Sequence, residues 1–340
     1  MINGTMIVAE ISANHGKDIN IVKQSISRAK EIGCDAVKIQ TYKPDTITID
    51  CNNQHFQINN GTIWDGETLY SLYKEAYLPW EWHKELFDYA EYIGIKLFST
   101  PFDKTAVDLL EKCGNPFYKI ASFEINDIPL IEYAASCGKR MIISTGIATE
   151  NEIQEAVDAC RRKGNNDICL LKCTSQYPAK IEDANLLTMV DMKNKFETEV
   201  GLSDHTEGTS VALTASILGA VIIEKHFILD KSIVGPDASF SMEAKDFENM
   251  ILKIRECEKA VGIVSYELDE KKRNSRKFSR SLFVIKDVEK DEIITEENVK
   301  SIRPSGGMQP IEIRNVVGKK FAEKTKKGTP LTPELISKEQ

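Results

Sequence analysis

Eight times between Met6 and Glu224 a short apolar run breaks off in polar residues and gives way to a stretch with helical spacing. The runs are Met6–Ile11, Ala36–Gln40, Lys96–Ser99, Tyr118–Ala121, Arg140–Ser144, Ile168–Lys172, Glu199–Leu202 and Ala220–Glu224. Between them Val22, Ile26 and Ala29 share one helical face and Gly33 ends it; Trp82, Leu86, Tyr89 and Ile93 repeat the pattern ahead of Gly94. A strand that is apolar at successive positions has no side to give to water. Such strands alternating with helices therefore predict a parallel sheet covered on both faces. Eight units in roughly 250 residues predict a closed (β/α)8 TIM barrel. An open doubly wound sheet is the alternative.

Two segments interrupt the rhythm. Thr41–Pro79 is too long for a βα loop and carries the turn signals Asn52-Asn53, Asn59-Asn60-Gly61 and Asp65-Gly66. It reads as a hairpin-bearing insertion over the barrel mouth. Its aromatic residues Trp64, Tyr70, Tyr73, Tyr77, Trp80 and Trp82 suit a sugar platform or a core, and the helical spacing of 70, 73 and 77 favours core. Leu268–Arg280, with Lys271-Lys272-Arg273 and Arg276-Lys277, reads as a solvated linker. After it come a strand (Ser281–Ile285), a turn, a short helix opened by Thr295, and many Gly and Pro residues. The predicted organisation is a barrel over residues 1–267, a linker over 268–280 and a small β-rich domain over 281–340.

Charge narrows the function. With 44 basic and 52 acidic side chains the net charge is −8. Phosphate backbones demand a basic surface, so nucleic acid is a poor partner. No apolar run approaches the roughly 18–20 residues of a membrane helix, and the first residues lack the basic and apolar regions of a signal peptide. The eight cysteines form no CxxC pair. They read as reduced thiols in a cytoplasmic protein.

Active sites of such barrels lie at the C-terminal ends of the strands, and here every run ends in potential ligands. His205 and His226 fall at equivalent ends of neighbouring strands. With Glu10 and Asp237 they make a mixed nitrogen and oxygen set for one divalent cation, and spacing does not choose among Mn2+, Mg2+, Fe and Zn2+. Hydrogen-bonded strand-end histidines are the structural alternative, and the more natural one for His15, His55 and His83. Lys38 and Lys119 with Thr100, Ser122 and Ser144 offer two cations and three hydroxyls, a set suited to phosphate, with Ser144-Thr145-Gly146 opening the next helix. A second chemistry open to Lys119 is a Schiff base, as in aldolases. Nucleotide binding has no support, because neither a GxGxxG nor a Walker motif is present.

In this order the motifs resemble the sialic acid synthase family over essentially the whole chain. The pieces are Ala9-Glu10-Ile11-Ser12-Ala13-Asn14-His15-Gly16, Val37-Lys38-Ile39-Gln40-Thr41, Tyr118-Lys119-Ile120-Ala121-Ser122-Phe123-Glu124, Ile143-Ser144-Thr145-Gly146, Ser203-Asp204-His205-Thr206, Glu224-Lys225-His226-Phe227 and Gly235-Pro236-Asp237. Residues 281–336 resemble the antifreeze-like (SAF) domain that ends these enzymes. Thr62-Ile63-Trp64-Asp65-Gly66 with Leu69-Tyr70, and Gly235–Ser241, resemble the pseudaminate branch more than the neuraminate and legionaminate branches, which are the alternatives.

The resemblance implies metal-dependent condensation of phosphoenolpyruvate with an acetamido sugar, a diacetamido-trideoxy-altrose for the pseudaminate branch. It implies that His205 and His226 ligate Mn2+, Mg2+ or Co2+, with Glu10 and Asp237 contacting the metal or its water. Lys38, Gln40, Thr100, Lys119, Ser122 and Ser144 would hold phosphoenolpyruvate, Glu124 would be the acid/base group, and Tyr177 and Asp237 would position the sugar. It further implies a domain-swapped homodimer in which Arg303 reaches the sugar bound by the other subunit. Where the neuraminate branch tends to carry Asn, this chain has Ser175-Gln176. A carbohydrate- or ice-binding module, suggested by the C-terminal domain alone, would not need the converging lysines and histidines.

Overall fold

The computed structural model describes residues 4–59, 61 and 63–337. Asn60, of the expected turn, and Thr62, of the branch-like motif, lie outside the described residues. The chain divides into two compact units, Met1–Ile263 and Val264–Gln340.

All eight predicted strands form: β1 (Met6–Glu10), β2 (Ala36–Thr41), β3 (Lys96–Pro101), β4 (Phe117–Ile120), β5 (Arg140–Ser144), β6 (Ile168–Cys173), β7 (Glu199–Asp204) and β8 (Ile222–Ile228). Each pairs in parallel with the next, and β1 also pairs with β8, so the sheet closes and the open doubly wound alternative falls. A two-residue strand, β9 (Met242–Glu243), adds to β8 in parallel.

Alternation along each strand divides the sheet into two layers. One face supplies Ile7, Val37, Leu97, Tyr118, Ile143, Leu170, Val200 and Ile223 to the layer beneath the helices. The helices answer with apolar stripes such as Val22, Ile26 and Ala29 on Ile19–Glu31, each fully buried. The opposite face supplies Val8, Ala36, Phe98, Ile142, Leu171 and Ile222, which fill the barrel floor. Burying each of the larger side chains contributes about 1.5–3 kcal/mol. Gly201 has a specific role in closure. A Cβ there would lie 2.5 Å from the Ile222 carbonyl oxygen and 2.7 Å from Leu171 Cδ2, so a side chain would force β7 away from β8.

Two expectations of the barrel unit change. Ser144-Thr145-Gly146 does not open a helix: the helix is Glu150–Arg162, capped by Thr149, whose backbone N–H and hydroxyl both reach Glu152. Residues 147–149 therefore separate Ser144-Thr145-Gly146 from the helix dipole's positive end. The insertion holds two helices, Pro44–Ile47 and Leu69–Ala76, and a short hairpin-like antiparallel pairing: Gln57 bridges Thr68, the Ile58 amide donates to the Glu67 carbonyl and the Leu69 amide to the Phe56 carbonyl. Leu69–Ala76 buries none of its residues fully, so the 70/73/77 aromatics are not core. Tyr70 Oη donates to Asp45 Oδ1, and Tyr73 meets Tyr42 edge to face.

In the second unit, residues of the expected linker form the exposed helix Glu270–Ser275. Strands β10 (Ser281–Val284) and β11 (Val299–Ile302) pair antiparallel. Residues 295–298 make a turn and not the expected helix, because the Asn298 side chain closes it by accepting from the Thr295 amide and donating to the Ile293 carbonyl. Leu282, Val284, Val288, Ile294, Val299, Val316, Phe321 and Leu331 form a separate small core.

Candidate functional site

The mouth of the barrel is the barrel floor continued two residues along each strand. Above Val8, Ala36, Phe98, Ile142, Leu171 and Ile222 stand Glu10, Lys38, Thr100, Ser144, Cys173 and Glu224, facing the same way. An apolar base thus carries a polar ring.

On one side of that ring four charges interlock. Lys38 Nζ lies 2.8 Å from Glu10 Oε2 and 3.5 Å from Glu224 Oε1, and Lys119 Nζ lies 3.1 Å from the same Glu224 oxygen. All four side chains are buried. Burial pushes the Glu10 carboxyl up, with Lys38 offsetting part of the rise. Burial alone would raise Glu224 too, but Lys119 and Lys38 outweigh it and hold this carboxyl below its ordinary value. Burial likewise pulls Lys119 down, whereas Glu10 and Glu224 outweigh burial at Lys38 and raise it. Two ammoniums and two carboxylates therefore compensate one another away from water.

Hydroxyls complete this side. Thr100 Oγ1 accepts from Lys38 Nζ at 3.1 Å, which leaves its O–H to donate, and Ser122 Oγ accepts from the Gly146 amide at 3.1 Å while its O–H faces the Cys173 sulfur. Ser144 Oγ is buried and has no hydrogen-bond partner among the described residues. Gly146 makes the loops converge: a Cβ there would sit 2.1 Å from Ser175 Oγ and 2.8 Å from Ser122 Oγ. Gln40 Nε2 donates to Glu10 Oε1 (3.0 Å) and Ser12 Oγ (2.9 Å), orienting the carboxylate.

On the other side the His205 and His226 rings lie 5.3 Å apart, centroid to centroid. His205 Nδ1–H donates to the Thr174 carbonyl at 2.9 Å, which leaves Nε2 with its lone pair. Burial lowers His205, but Cys173 Sγ, 3.7 Å from Nδ1, outweighs it and the net direction is up. His226 Nδ1 is buried with no hydrogen-bond partner among the described residues; Asp237 Oδ2 is 3.8 Å away. Burial, His205 and Lys38 hold His226 well below the ordinary imidazole range, so it is neutral and able to donate a lone pair. Asp237 Oδ2 is fixed by the Ala13 amide at 3.3 Å. Glu10 is the register partner of His226 across β1 and β8.

Aromatic rings wall this side. Tyr177 lies tilted against His205 (4.3 Å), Phe240 meets His226 edge to face (5.0 Å), and Trp64 lies 5.9 Å from Tyr177 and 6.4 Å from Phe240. Trp64 Nε1 donates to the Pro236 carbonyl, tying the insertion to the loop after β8. Among the described residues no group of three or more His, Cys, Asp and Glu side chains forms a metal centre. Two imidazoles, one with an orphaned nitrogen, and flanking carboxylates fit a divalent ion that draws its other ligands from water or substrate.

Glu124 sits in a tight turn just past β4. Its Oε2 is buried without a hydrogen-bond partner among the described residues, and burial raises the carboxyl to about 7 although Lys119 opposes the shift. Arg303 belongs to the second unit, exposed directly after β11. The remaining histidines are structural or exposed. His15 Nε2 meets the Ala76 carbonyl and its Nδ1 accepts from the Lys17 amide; His83, with burial pulling it down to about 4, bridges Thr41 Oγ1 and the Pro79 carbonyl; His55 is exposed.

Sequence reasoning missed Glu224, Cys173 and Phe240 as site residues. Glu224 was findable, because it lies two residues before His226 on one strand and must face the same way. Cys173 follows from the same rule two residues after Leu171. Phe240 is on a loop, and no periodicity announces it.

The sequence model of the NeuB family matches residues 25–266, and that of the SAF domain matches residues 279–337. Pseudaminic acid synthase of Helicobacter pylori is 47% identical over 339 residues, covering 99% of both chains. N,N'-diacetyllegionaminic acid synthase of Campylobacter jejuni is 36% identical, covering 93% of this chain and 95% of that one. Among solved structures, N-acetylneuraminic acid synthetase of Leptospira borgpetersenii superposes with a TM-score of 0.71 at 31% identity, over 80% of this chain and 90% of that chain.

Proposed function

The chain belongs to the NeuB family, and from that premise we propose that it condenses phosphoenolpyruvate with 2,4-diacetamido-2,4,6-trideoxy-β-L-altrose and water, giving pseudaminic acid and phosphate by C–O cleavage. The observation that carries this is the meeting, in one barrel mouth, of two buried lysines with donor hydroxyls on one side and two imidazoles on the other. The choice of sugar follows the 47% identity to a pseudaminic acid synthase against 36% to a legionaminic acid synthase.

Lys38, Lys119, Thr100, Ser122, Ser144 and Gln40 receive the phosphate and carboxylate of phosphoenolpyruvate and fix its enol carbon toward the histidines. A divalent ion held by His205 and His226, Mn2+ or Mg2+, supplies Lewis-acid polarisation of the sugar aldehyde when bound. Tyr177 and Asp237 orient the open-chain sugar. The enol carbon forms a C–C bond to the aldehyde carbon, positive charge grows at the phosphate-bearing carbon, water adds there, and the C–O bond to phosphate breaks. Glu124, half ionised near pH 7, takes the proton of the adding water. Juxtaposing two substrates lowers the barrier by roughly 7–11 kcal/mol.

The reading includes a catalytic barrel to residue 267, a linker over 268–280 and an antifreeze-like domain over 281–340, supported by family matches that end at 266 and begin at 279. It includes a domain-swapped homodimer in which Arg303 serves the partner's sugar site. The exposed position of Arg303 supports this. A reducing, cytoplasmic setting accords with eight free cysteines; no helix of the described residues is long and apolar enough to cross a membrane.

Phosphate release with each sugar tests the reading. Turnover should be fastest with the diacetamido-altrose, and phosphoenolpyruvate labelled with 18O in its bridging position should pass the label to phosphate. Faster turnover of N-acetylmannosamine, or label left in the keto acid, overturns it.

A further inference from the structure

We propose that the Asp204–Lys225 ion pair is a positioning device that sets the spacing of His205 and His226 from behind the sheet. The proposal rests on the reading of those histidines as metal ligands.

The pair stands where charge is least expected. Alternation puts Ser203 and His205 of β7, and Glu224 and His226 of β8, on the mouth side. Asp204 and Lys225 therefore point into the layer between sheet and helices, which Val200, Leu202, Ile223 and Phe227 otherwise make apolar. Their side chains are 1% and 3% exposed. Lys225 Nζ lies 2.7 Å from Asp204 Oδ2, and the two residues are direct register partners across the β7–β8 pairing. Each immediately precedes one of the two histidines.

The remaining bonds of the pair close around His205. Asp204 Oδ1 accepts from the Thr206 amide (2.9 Å) and from Thr206 Oγ1 (2.7 Å), while Lys225 Nζ donates to the Thr206 carbonyl. The backbone on both sides of His205 is thus tied, through side chains, to the residue before His226. Just beyond, the His205 carbonyl accepts from the Ala179 amide. At the other end of the strand Gly201 lets β7 approach β8 closely. The histidine spacing is fixed from both ends of the pairing.

Stability does not explain the pair. A buried ion pair forfeits two hydration shells, and well-packed apolar residues in its place are often as stable or more so. What an apolar pair lacks is the directional link to Thr206. Groups that orient metal ligands without touching the metal typically change metal affinity 10–100-fold when removed.

The test is Mn2+ titration calorimetry on the purified full-length chain, with thermal unfolding of the apoprotein and steady-state kinetics at saturating Mn2+. Asp204→Asn leaves Lys225 buried without its counter-charge, so the deciding variant is Asp204→Asn/Lys225→Met, which removes both charges. The double variant should fold, bind Mn2+ 10-fold or more weakly, and keep its KM for phosphoenolpyruvate within twofold once Mn2+ saturates. A folded double variant that binds Mn2+ as the parent does overturns the proposal; so does one that does not fold, because the pair is then a stability element. His205→Ala is the control. If it too binds Mn2+ like the parent, the metal reading itself has failed and not only the role of the pair.

Discussion

On β2 and β4 the barrel mouth carries lysines already answered by glutamates, whereas on β7 and β8 it carries imidazoles of which one has no hydrogen-bond partner among the described residues. The first side is a closed circuit of charge with hydroxyls to spare. The second is aromatic-walled and short of ligands. An anion entering the first side must compete with Glu10 and Glu224 for ammonium protons, so its binding is a rearrangement of existing pairs. A cation entering the second side meets the His226 ring, which burial keeps unprotonated. The lysine side should therefore fail through folding and function together, and the histidine side through function alone.

The strongest break falls on the lysine side. Lys119→Met leaves Glu224 Oε1 with the longer contacts to Lys38 Nζ (3.5 Å) and Ser203 Oγ (3.4 Å). Removing one member of a buried pair costs about 3–5 kcal/mol, which urea denaturation should show. The kcat/KM for phosphoenolpyruvate should fall about 1,000-fold or more, since a charge-assisted contact and the site's neutrality vanish together. Adding Glu224→Leu to Lys119→Met should restore much of the stability and none of the activity. A double variant that regained activity would show that the lysine serves the fold alone.

Next in size is His226→Ala. Its Nδ1 has no hydrogen-bond partner to lose among the described residues, and its neighbours Tyr177 and Phe240 can close over the gap. The apoprotein should lose at most about 2 kcal/mol, while activity falls about 100-fold or more and Mn2+ no longer raises Tm. An unfolded variant would erase the contrast between the two sides.

Glu124 sharpens it further, because it stands past the end of the lysine side yet is uncompensated. Its carboxyl titrates near 7 in the folded chain against an ordinary value of 4.5. Between those values the folded state binds more proton than the unfolded state, so the contribution of Glu124 to stability is whole below pH 4.5 and is lost as pH rises toward 7. The loss is about 3 kcal/mol. Glu124→Gln should equal the parent in stability at pH 4.5, exceed it by up to that amount above pH 7, and lose the kinetic limb centred near 7 with a 10–100-fold drop in kcat. A variant that gained no stability at pH 8 would mean that the carboxylate finds a partner in the folded chain after all.

How much of this was legible beforehand follows the same divide between strand and loop. Strands apolar at successive positions announce their count and order, and with them most of the mouth residues at their ends: Glu10, Lys38, Thr100, Lys119, Ser144, His205 and His226. Glu224 is equally legible, two residues before His226 on one strand. Loops announced their chemistry and not their shape. Ser144-Thr145-Gly146 carries the composition of a helix start, but Thr149 and Glu152 satisfy the helix's first amides five residues later, where the chain has room to turn. The spacing of Tyr70 and Tyr73 gave a helix correctly and a core wrongly. Periodicity records that a face exists; what packs on it is decided by residues far away, here Asp45 and Tyr42.

Trp64 is the smallest of the expected effects and tests whether the insertion belongs to the histidine side at all. Its ring approaches Tyr177 and Phe240, and Nε1 is anchored on the Pro236 carbonyl, so it closes the aromatic wall. Such edge contacts contribute about 0.5–1.5 kcal/mol beyond area burial, a factor of roughly 2–12 in binding. Trp64→Ala should raise KM for the sugar within that range and leave KM for phosphoenolpyruvate unmoved, because the lysine side has its own scaffold on β2 and β4. Trp64→Phe should recover most of the loss, since the ring and not the indole N–H faces Tyr177. If KM for phosphoenolpyruvate rose in step with that of the sugar, the two sides would not be independent, and the wall would have to be read as a cover over the whole mouth.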